Sequence, residues 1–360
     1  MLTGNKGEWS EVYVFLKLLA DGRLNAADAN LNAIPNVYYP IIKILRQESS
    51  TKNREYIING DIRVVDGNNN TELLSLPLID FINRSQQLFN ELKNAVGASF
   101  GFKEIEDFLS SIDVNTLTAL SSDKSDIKII VHDLNTGMKP KLGFSIKSML
   151  GRNSTLFNAG NTTNFIYEII GENNLNLEEI NLIDDAPKII NRIKKIRELG
   201  FTLKFHSIQS KTLQLNLQLI DSDLPHILAE LLLQKYSSSG VSTLYNDLNQ
   251  LTQNNPLNFD LSEGHPFYEY KIKNFLTDSA LGMTPATKWT GKYDATGGII
   301  IVKEDGEIVC YHIYNRNEFQ DYLLNNTKFE QASTTRYGFG EVYENNQKMF
   351  IKLNLQIRFR

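Results

Sequence analysis

The sequence predicts an α/β (α+β) protein, a mixed central sheet flanked by helices with a C-terminal β-containing extension. Three observations carry that prediction. Val12, Phe15, Leu16 and Leu19 recur at helical spacing. The β-rich run 126–133 leads through a turn bearing Gly137 and Pro140 into a second strand at 142–149. A basic amphipathic helix over 189–199 then feeds a strand at 202–207.

Taken in order, the first helix stops at Gly22 and carries Glu8 and Glu11 three apart in its first turn, on one face. Asn59-Gly60 makes the turn of a hairpin over 55–65. A helix follows over 78–95, with Ile79, Phe81, Ile82, Leu88 and Leu92 as its apolar set. After the 126–149 hairpin, the asparagine-rich stretch 153–164 reads as loop and 165–170 as helix. A strand is expected at 213–220 and a buried helix at 224–236, ended by the candidate linker Ser237-Ser238-Ser239-Gly240. Helices near 242–251 and 266–276 precede a hairpin of 299–302 with 307–312, turning at Asp305-Gly306. At the end, Ile351, Leu353, Leu355, Ile357 and Phe359 alternate with Lys352, Asn354, Gln356 and Arg358, as in a half-buried strand. The expected organisation is a core over 1–210 and a recognition and dimerisation part over 211–360, unless the two form one continuous domain.

With 360 residues, 41% hydrophobic and 22% charged, the chain can bury a substantial core without staples. Lys and Arg number 37 against 42 Asp and Glu, a net charge of −5. That argues against a generally basic nucleic-acid coat and leaves local positive charge open. The single cysteine, Cys310, excludes an intrachain disulfide framework and a multi-thiolate metal site. The N-terminal stretch lacks the apolar segment of a signal peptide, and no apolar run approaches the ~18 residues that span a bilayer. A cytoplasmic protein without a membrane partner is expected. There is no Walker A loop, Rossmann fingerprint, HExxH pair or GxSxG elbow, and the five histidines lack metal-ligand spacing.

The residues able to carry chemistry lie on the 126–149 hairpin. With the turn centred near Thr136-Gly137, Asp126 falls opposite Lys147, and Ser145 stands two residues earlier. A carboxylate can hold Mg²⁺ while the ion keeps waters and shares its shell with phosphate oxygens. Such an ion supplies a more acidic water, and a lysine nearby can orient that water and stabilise the transition state. One carboxylate rarely suffices, and position 145, where a second would be expected, is Ser. Glu11 is the first choice for the second acid, because a helix packed on the sheet can present a first-turn acid at the strand ends. Glu8, Asp133 and Glu168 are also open for that role.

The hairpin from Asp126 to Lys147, with a helix before it and a helix–strand pair after it, resembles the core of the PD-(D/E)XK nuclease fold. Three stretches resemble the HpaII-type family of type II restriction endonucleases: residues 4–13 (GNKGEWSEVY), residues 142–148 (LGFSIKS) continuing through Phe157-Asn158-Ala159-Gly160, and residues 288–298 (KWTGKYDATGG). The closing run 351–357 fits as well, so the likeness covers nearly the whole chain. The resemblance implies Mg²⁺-dependent double-strand cleavage of DNA at a short palindrome, CCGG for the name-giving member. Position by position, Asp126 matches the metal-binding Asp and Lys147 the catalytic Lys. Ser125 stands where the wider fold often has Pro, and Ser145 departs from the usual acid, so a displaced glutamate is needed. The rival readings are a structure-specific repair or junction nuclease and a DNA-binding protein without catalysis.

Positive charge is clustered. Residues 134–167 contain Lys139, Lys141, Lys147 and Arg152 and no acid; 191–211 and 347–360 form two further basic islands. Clustering of this kind suits phosphate contacts. Base reading is expected from Arg336 in the 334–338 loop, from Arg316, and from Lys288 and Lys292. A palindromic target matches a homodimer, and the host's own sites would require a DNA methyltransferase as genetic partner.

Overall fold

A computed structural model describes residues 2–120, 125–172, 174–238, 240 and 242–360. In chain order the first elements are α1 (Lys6–Asp21), β1 (Arg23–Ala27), β2 (Ala33–Gln47), β3 (Asn53–Asn59), β4 (Asp61–Asp66), β5 (Thr71–Leu76), α2 (Leu78–Asn94) and α3 (Lys103–Ser111). There follow β6 (Ile127–Val131), β7 (Lys141–Ser148), β8 (Thr155–Phe157), β9 (Asn164–Ile170), α4 (Leu177–Asn181), α5 (Lys188–Glu198), β10 (Thr202–Ile208) and α6 (Lys211–Ile220). Next come α7 (Leu224–Lys235), α8 (Leu244–Asn254), α9 (Phe267–Leu281), β11 (Gly298–Val302), β12 (Ile308–His312) and α10 (Arg316–Asn325). The chain closes with β13 (Thr327–Phe329), α11 (Thr334–Tyr337), β14 (Val342–Asn345), β15 (Lys348–Asn354) and β16 (Ile357–Phe359). The architecture is mixed α/β, and among the described residues no helix is long and apolar enough to cross a membrane.

The chain divides into two units whose segments interleave. Unit 1 comprises Met1–Ser154, Ala280–Gly282 and Tyr293–Tyr322; unit 2 comprises Thr155–Ser279, Met283–Lys292 and Leu323–Arg360. The expected division at residue 210 does not coincide with this one. Strands β11 and β12 return to the first sheet, while β9 pairs with β10 on one side and with the C-terminal β15 on the other. The linker candidate 237–240 lies within the span of unit 2, and its Ser239 is outside the described residues.

Unit 1 is built on a nine-stranded sheet in the order β1-β12-β11-β7-β6-β2-β3-β4-β5. Because β1 pairs with β2 as well as with β12, the first six strands close into a ring. The 15-residue β2 makes this closure possible. Its first part pairs with β1, and beyond Pro40, which offers no N–H to a ladder, it pairs with β6 and β3. α1 supplies much of the core, with Trp9, Val12, Phe15, Leu16 and Leu19 buried. Trp9 also donates its indole N–H to the Phe100 carbonyl at 3.0 Å and packs edge-on against Phe102. The helix ends as expected at Gly22, whose φ of 65° is left-handed. Both Asn59-Gly60 and Asp305-Gly306 turn their hairpins as expected. On α2, Phe81, Leu88 and Leu92 are buried but Ile79 and Ile82 lie on the exposed side.

Unit 2 carries a four-stranded sheet, β10-β9-β15-β14, and a three-stranded sheet, β13-β16-β8. Three local expectations are corrected here. Residues 165–170 are strand β9, not helix: Phe165, Tyr167 and Ile169 are buried on one face, the period of a pleated strand. Residues 213–220 are in helix α6, not a strand. Leucine at every second position fits both periods, and the Ser210 hydroxyl accepting the Leu213 amide at 3.2 Å starts a helix instead. The result buries Leu213 and Leu217, four apart, and exposes Leu215 and Leu219. Finally, the closing strand is two. β15 and β16 belong to different sheets, and the break at Leu355 is secured by its amide donating to Thr163 O at 2.9 Å. Asn354, expected on an outer polar face, is buried and donates to Gly160 O at 2.9 Å and Asn164 Oδ1 at 2.7 Å.

The 293–298 segment crosses β7 in very close approach. Gly297 N donates to Gly143 O at 2.7 Å, and a Cβ on Gly143 would lie 2.8 Å from Ser125 Cβ and 3.2 Å from the Asp294 carbonyl. Gly143→Ala is therefore expected to lower stability by about 1–3 kcal/mol in urea denaturation, since backbone cannot yield as a flexible side chain could. An unchanged midpoint would show that the approach is looser than this geometry.

Candidate functional site

The hairpin expected to carry the chemistry forms, with a shifted register. Pairs run from Ile127↔Phe144 to Ile130↔Lys141, which sets Asp126 level with Ser145 and not, as expected, with Lys147. The turn is centred one residue earlier than Thr136-Gly137, and each such step moves a cross-strand partner by two. Asp133 is the cause. Its carboxylate accepts from Asn135 N at 2.9 Å, Thr136 Oγ1 at 2.7 Å and the Tyr314 hydroxyl at 3.1 Å, winding the turn tightly. A two-residue shift keeps every side chain on its face, so Ser145 and Lys147 still share one.

Asp126 stands just before β6 begins. β7 continues beyond the β6 pairing, leaving the Ile146 amide without a strand partner on that side. Asp126 Oδ2 accepts that amide at 2.6 Å and the Ser145 hydroxyl at 3.1 Å. Its other oxygen, Oδ1, accepts no hydrogen bond among the described residues. Ser145, buried, thus orients the carboxylate instead of replacing the missing acid.

A carboxylate close enough to Asp126 to feel its charge lies on α1. The helix N-terminus is tied down by a capping box: Asn5 Oδ1 accepts from Gly7 N at 2.8 Å, and Glu8 Oε2 accepts from Asn5 N at 2.8 Å. Ser10 fixes the helix to the sheet, its hydroxyl 2.8 Å from that of Ser148 at the end of β7. Glu8 is consumed by the cap. Glu11, partly buried, makes no hydrogen bond or ion pair among the described residues. Burial and the negative charge of Asp126 push its pKa up to about 8, with Arg46 and Lys147 opposing and Glu8 adding to the rise. Burial lowers the pKa of Lys147, against the pull of Asp126 and Glu11. Glu11, Asp126, Ser145 and Lys147 are therefore brought together within unit 1.

Asp133 and Glu168 are engaged elsewhere. Asp133 builds its turn at the far end of β6. Glu168 lies on β9 in unit 2, 2.8 Å from Lys348. Two carboxylates with open lone pairs in a partly buried site suit a hard divalent cation such as Mg²⁺, which needs only one or two protein carboxylates. Among the described residues no group of three or more His, Cys, Asp or Glu side chains adds a richer ligand set.

Beside these residues opens a cleft of about 290 Å³, lined by Glu11, Asp126, Arg46, Arg54, Lys128 and Lys141 among others. Sequence reasoning misses Arg46, because it does not anticipate strand β2 itself; a charged residue one place from an apolar strand's end is the only signal Arg46 leaves. Of the expected DNA contacts, Arg152 and Arg316 are exposed in unit 1, and Lys288, Lys292 and Arg336 are exposed in unit 2. The loop bearing Lys288 and Lys292 is fastened by the buried Asn216, which donates to Thr284 O and Thr287 O and accepts from Trp289 N at 3.0 Å. Within the basic island 191–211, Arg192 is buried and donates to the carbonyls of Ile183, Asn181 and Gly340. It is a structural brace there and not a phosphate contact.

A family model described as HpaII restriction endonuclease matches residues 5–359. The type II restriction enzyme HpaII of Haemophilus parainfluenzae is 46% identical over 358 residues, spanning 99% of this chain and 98% of that enzyme. No solved structure matches.

The crowding of the carboxylates has a measurable sign. Glu11 holds a proton in the folded state between its ordinary pKa of 4.5 and about 8, where the unfolded chain has lost it, so stability falls as pH rises through that window. Glu11→Gln removes this loss and is expected to raise stability by roughly 1–3 kcal/mol at pH 9 and little at pH 4. Urea denaturation at the two pH values checks it; a variant less stable at pH 9 would contradict the assignment.

Proposed function

The chain belongs to the HpaII restriction endonuclease family, and from that membership and the Glu11–Asp126–Lys147 geometry we propose Mg²⁺-dependent double-strand cleavage of DNA at a short palindrome, CCGG if it follows the name-giving member. It is a site-specific deoxyribonuclease. The observation that carries the catalytic reading is the pairing of two partly buried carboxylates on separate elements beside one partly buried lysine.

In this reading Asp126 and Glu11 hold the ion. When bound, Mg²⁺ supplies a more acidic water and neutralises charge building on phosphorus. The chain's own groups do the rest. The Ile146 amide and Ser145 hydroxyl fix one oxygen of Asp126 and leave the other for the cation. Burial favours the neutral amine of Lys147, which in that form orients the attacking water and takes up its proton. The α1 carboxylate supplies the acid that position 145 lacks, which favours an active enzyme over a binding protein without catalysis. A two-fold homodimer suits a palindrome, with Arg152, Lys288, Lys292, Arg316 and Arg336 as DNA contacts. A cytoplasmic enzyme of this kind requires a cognate DNA methyltransferase to protect the host.

Plasmid digestion with purified protein tests the mechanism. Lys147→Ala is expected to slow cleavage by about 10²–10⁴-fold; a rate equal to the parent's would refute the role of Lys147. Because Glu11 carries a proton below pH 8 that must leave when the ion binds, half-saturating Mg²⁺ should fall by up to about tenfold per pH unit on the way up to pH 8. A flat dependence would mean that Glu11 is not a ligand.

A further inference from the structure

Arg46 is a firmly anchored cation in the cleft, and the mechanism above leaves it unused. It lies on β2, only 7% exposed. Its Nε donates to Glu48 and its Nη2 to the Thr116 carbonyl, with a longer bond to Leu117 O at 3.3 Å. Glu48 is fixed in turn by the Asn115 amide at 2.8 Å and the Thr116 hydroxyl at 3.1 Å. The guanidinium also packs over the Phe15 ring, 5.6 Å from its centroid, and Phe15 is one helical turn beyond Glu11. Nη1 makes no hydrogen bond among the described residues, and Arg46 lines the cleft together with Glu11 and Asp126. As a purely structural element the buried Arg46–Glu48 pair is a poor choice, since apolar residues of similar size stabilise at least as well.

We propose that Arg46 binds the phosphodiester that is cut, its Nη1 donating to a non-bridging phosphate oxygen. This rests on the nuclease reading of the same cleft. The Asp126 carboxylate repels an incoming phosphate, and the charge of Lys147 is drawn to Asp126 and Glu11, so a further cation fixed in place lets the anion approach. Arginine suits that task because its planar fork keeps its orientation when two of its nitrogens are already bonded. The pre-set geometry also spares the entropy of ordering a long side chain on binding.

The test compares two duplexes in Ca²⁺, one with the natural phosphate at the position the parent enzyme cuts and one with a neutral methylphosphonate there. The parent's cleavage in Mg²⁺, with sequencing of the ends, first defines that position. Absence of any cleavage would count against the nuclease reading itself, separately from Arg46. The parent is expected to bind the methylphosphonate duplex roughly tenfold more weakly than the natural one. Arg46→Met should discriminate between the two much less than the parent does, the remainder coming from the bound cation, while Arg46→Lys, which keeps the charge, should fall between them. An equal loss in parent and Arg46→Met would overturn the contact and leave Arg46 a structural brace. Should Arg46→Met fail to fold, Arg46→Lys decides alone: full parental discrimination in it overturns the proposal, reduced discrimination supports it.

Discussion

Two carboxylates and a lysine are held together where each would, alone, choose water, and the rest of unit 1 is arranged to enforce that. A protonated Glu11 at neutral pH measures the strain of the arrangement. Nothing local to the three residues favours it. The restraint comes from α1, whose N-terminus is capped, whose Trp9 is hydrogen-bonded to Phe100, and whose Ser10 meets Ser148 on β7. A helix free to slide by one residue would carry Glu11 away from Asp126. Stability is given up at the site and recovered in the surrounding core.

The strands solve a related problem. A carboxylate at a strand end normally loses part of its charge density to whatever amides are nearby. Here only one oxygen of Asp126 is engaged, by Ile146 and Ser145, because β6 stops one pair short of them. A single serine thus converts a position that could have held a second acid into one that aims the first. The other carboxylate near Asp126 sits on a helix, where the cap and the Ser10–Ser148 contact hold it in place.

Much of this is legible in the sequence, and the failures have physical reasons. α1, its stop at Gly22, the Asn59-Gly60 and Asp305-Gly306 turns and the Asp126–Lys147 hairpin all rest on local signals that tertiary packing does not override. The register is displaced because it hangs on which residue centres a turn, and Asp133 binds that turn through three side-chain contacts no periodicity reveals. Leucines at alternate positions in α6 satisfy a strand pattern while the Ser210 cap selects a helix. Arg46 escapes because its meaning lies in its distance from Phe15, 31 positions away in sequence, and not in any neighbouring motif.

β7 carries Lys147 between two strands of very different origin. On one side is β6, joined by a nine-residue connection; on the other is β11, parallel to it and 150 residues further along the chain. Loop closure of that length is slow, and pairings distant in sequence form late. A growing chain therefore holds both acids and the lysine long before β7 has its second neighbour, and the ring of six strands closes only after β12 has been made. A fragment ending anywhere before residue 298 leaves one whole edge of the reactive strand bare. The strand that bears Lys147 therefore gains its second neighbour only when β11, far along the chain, has been made.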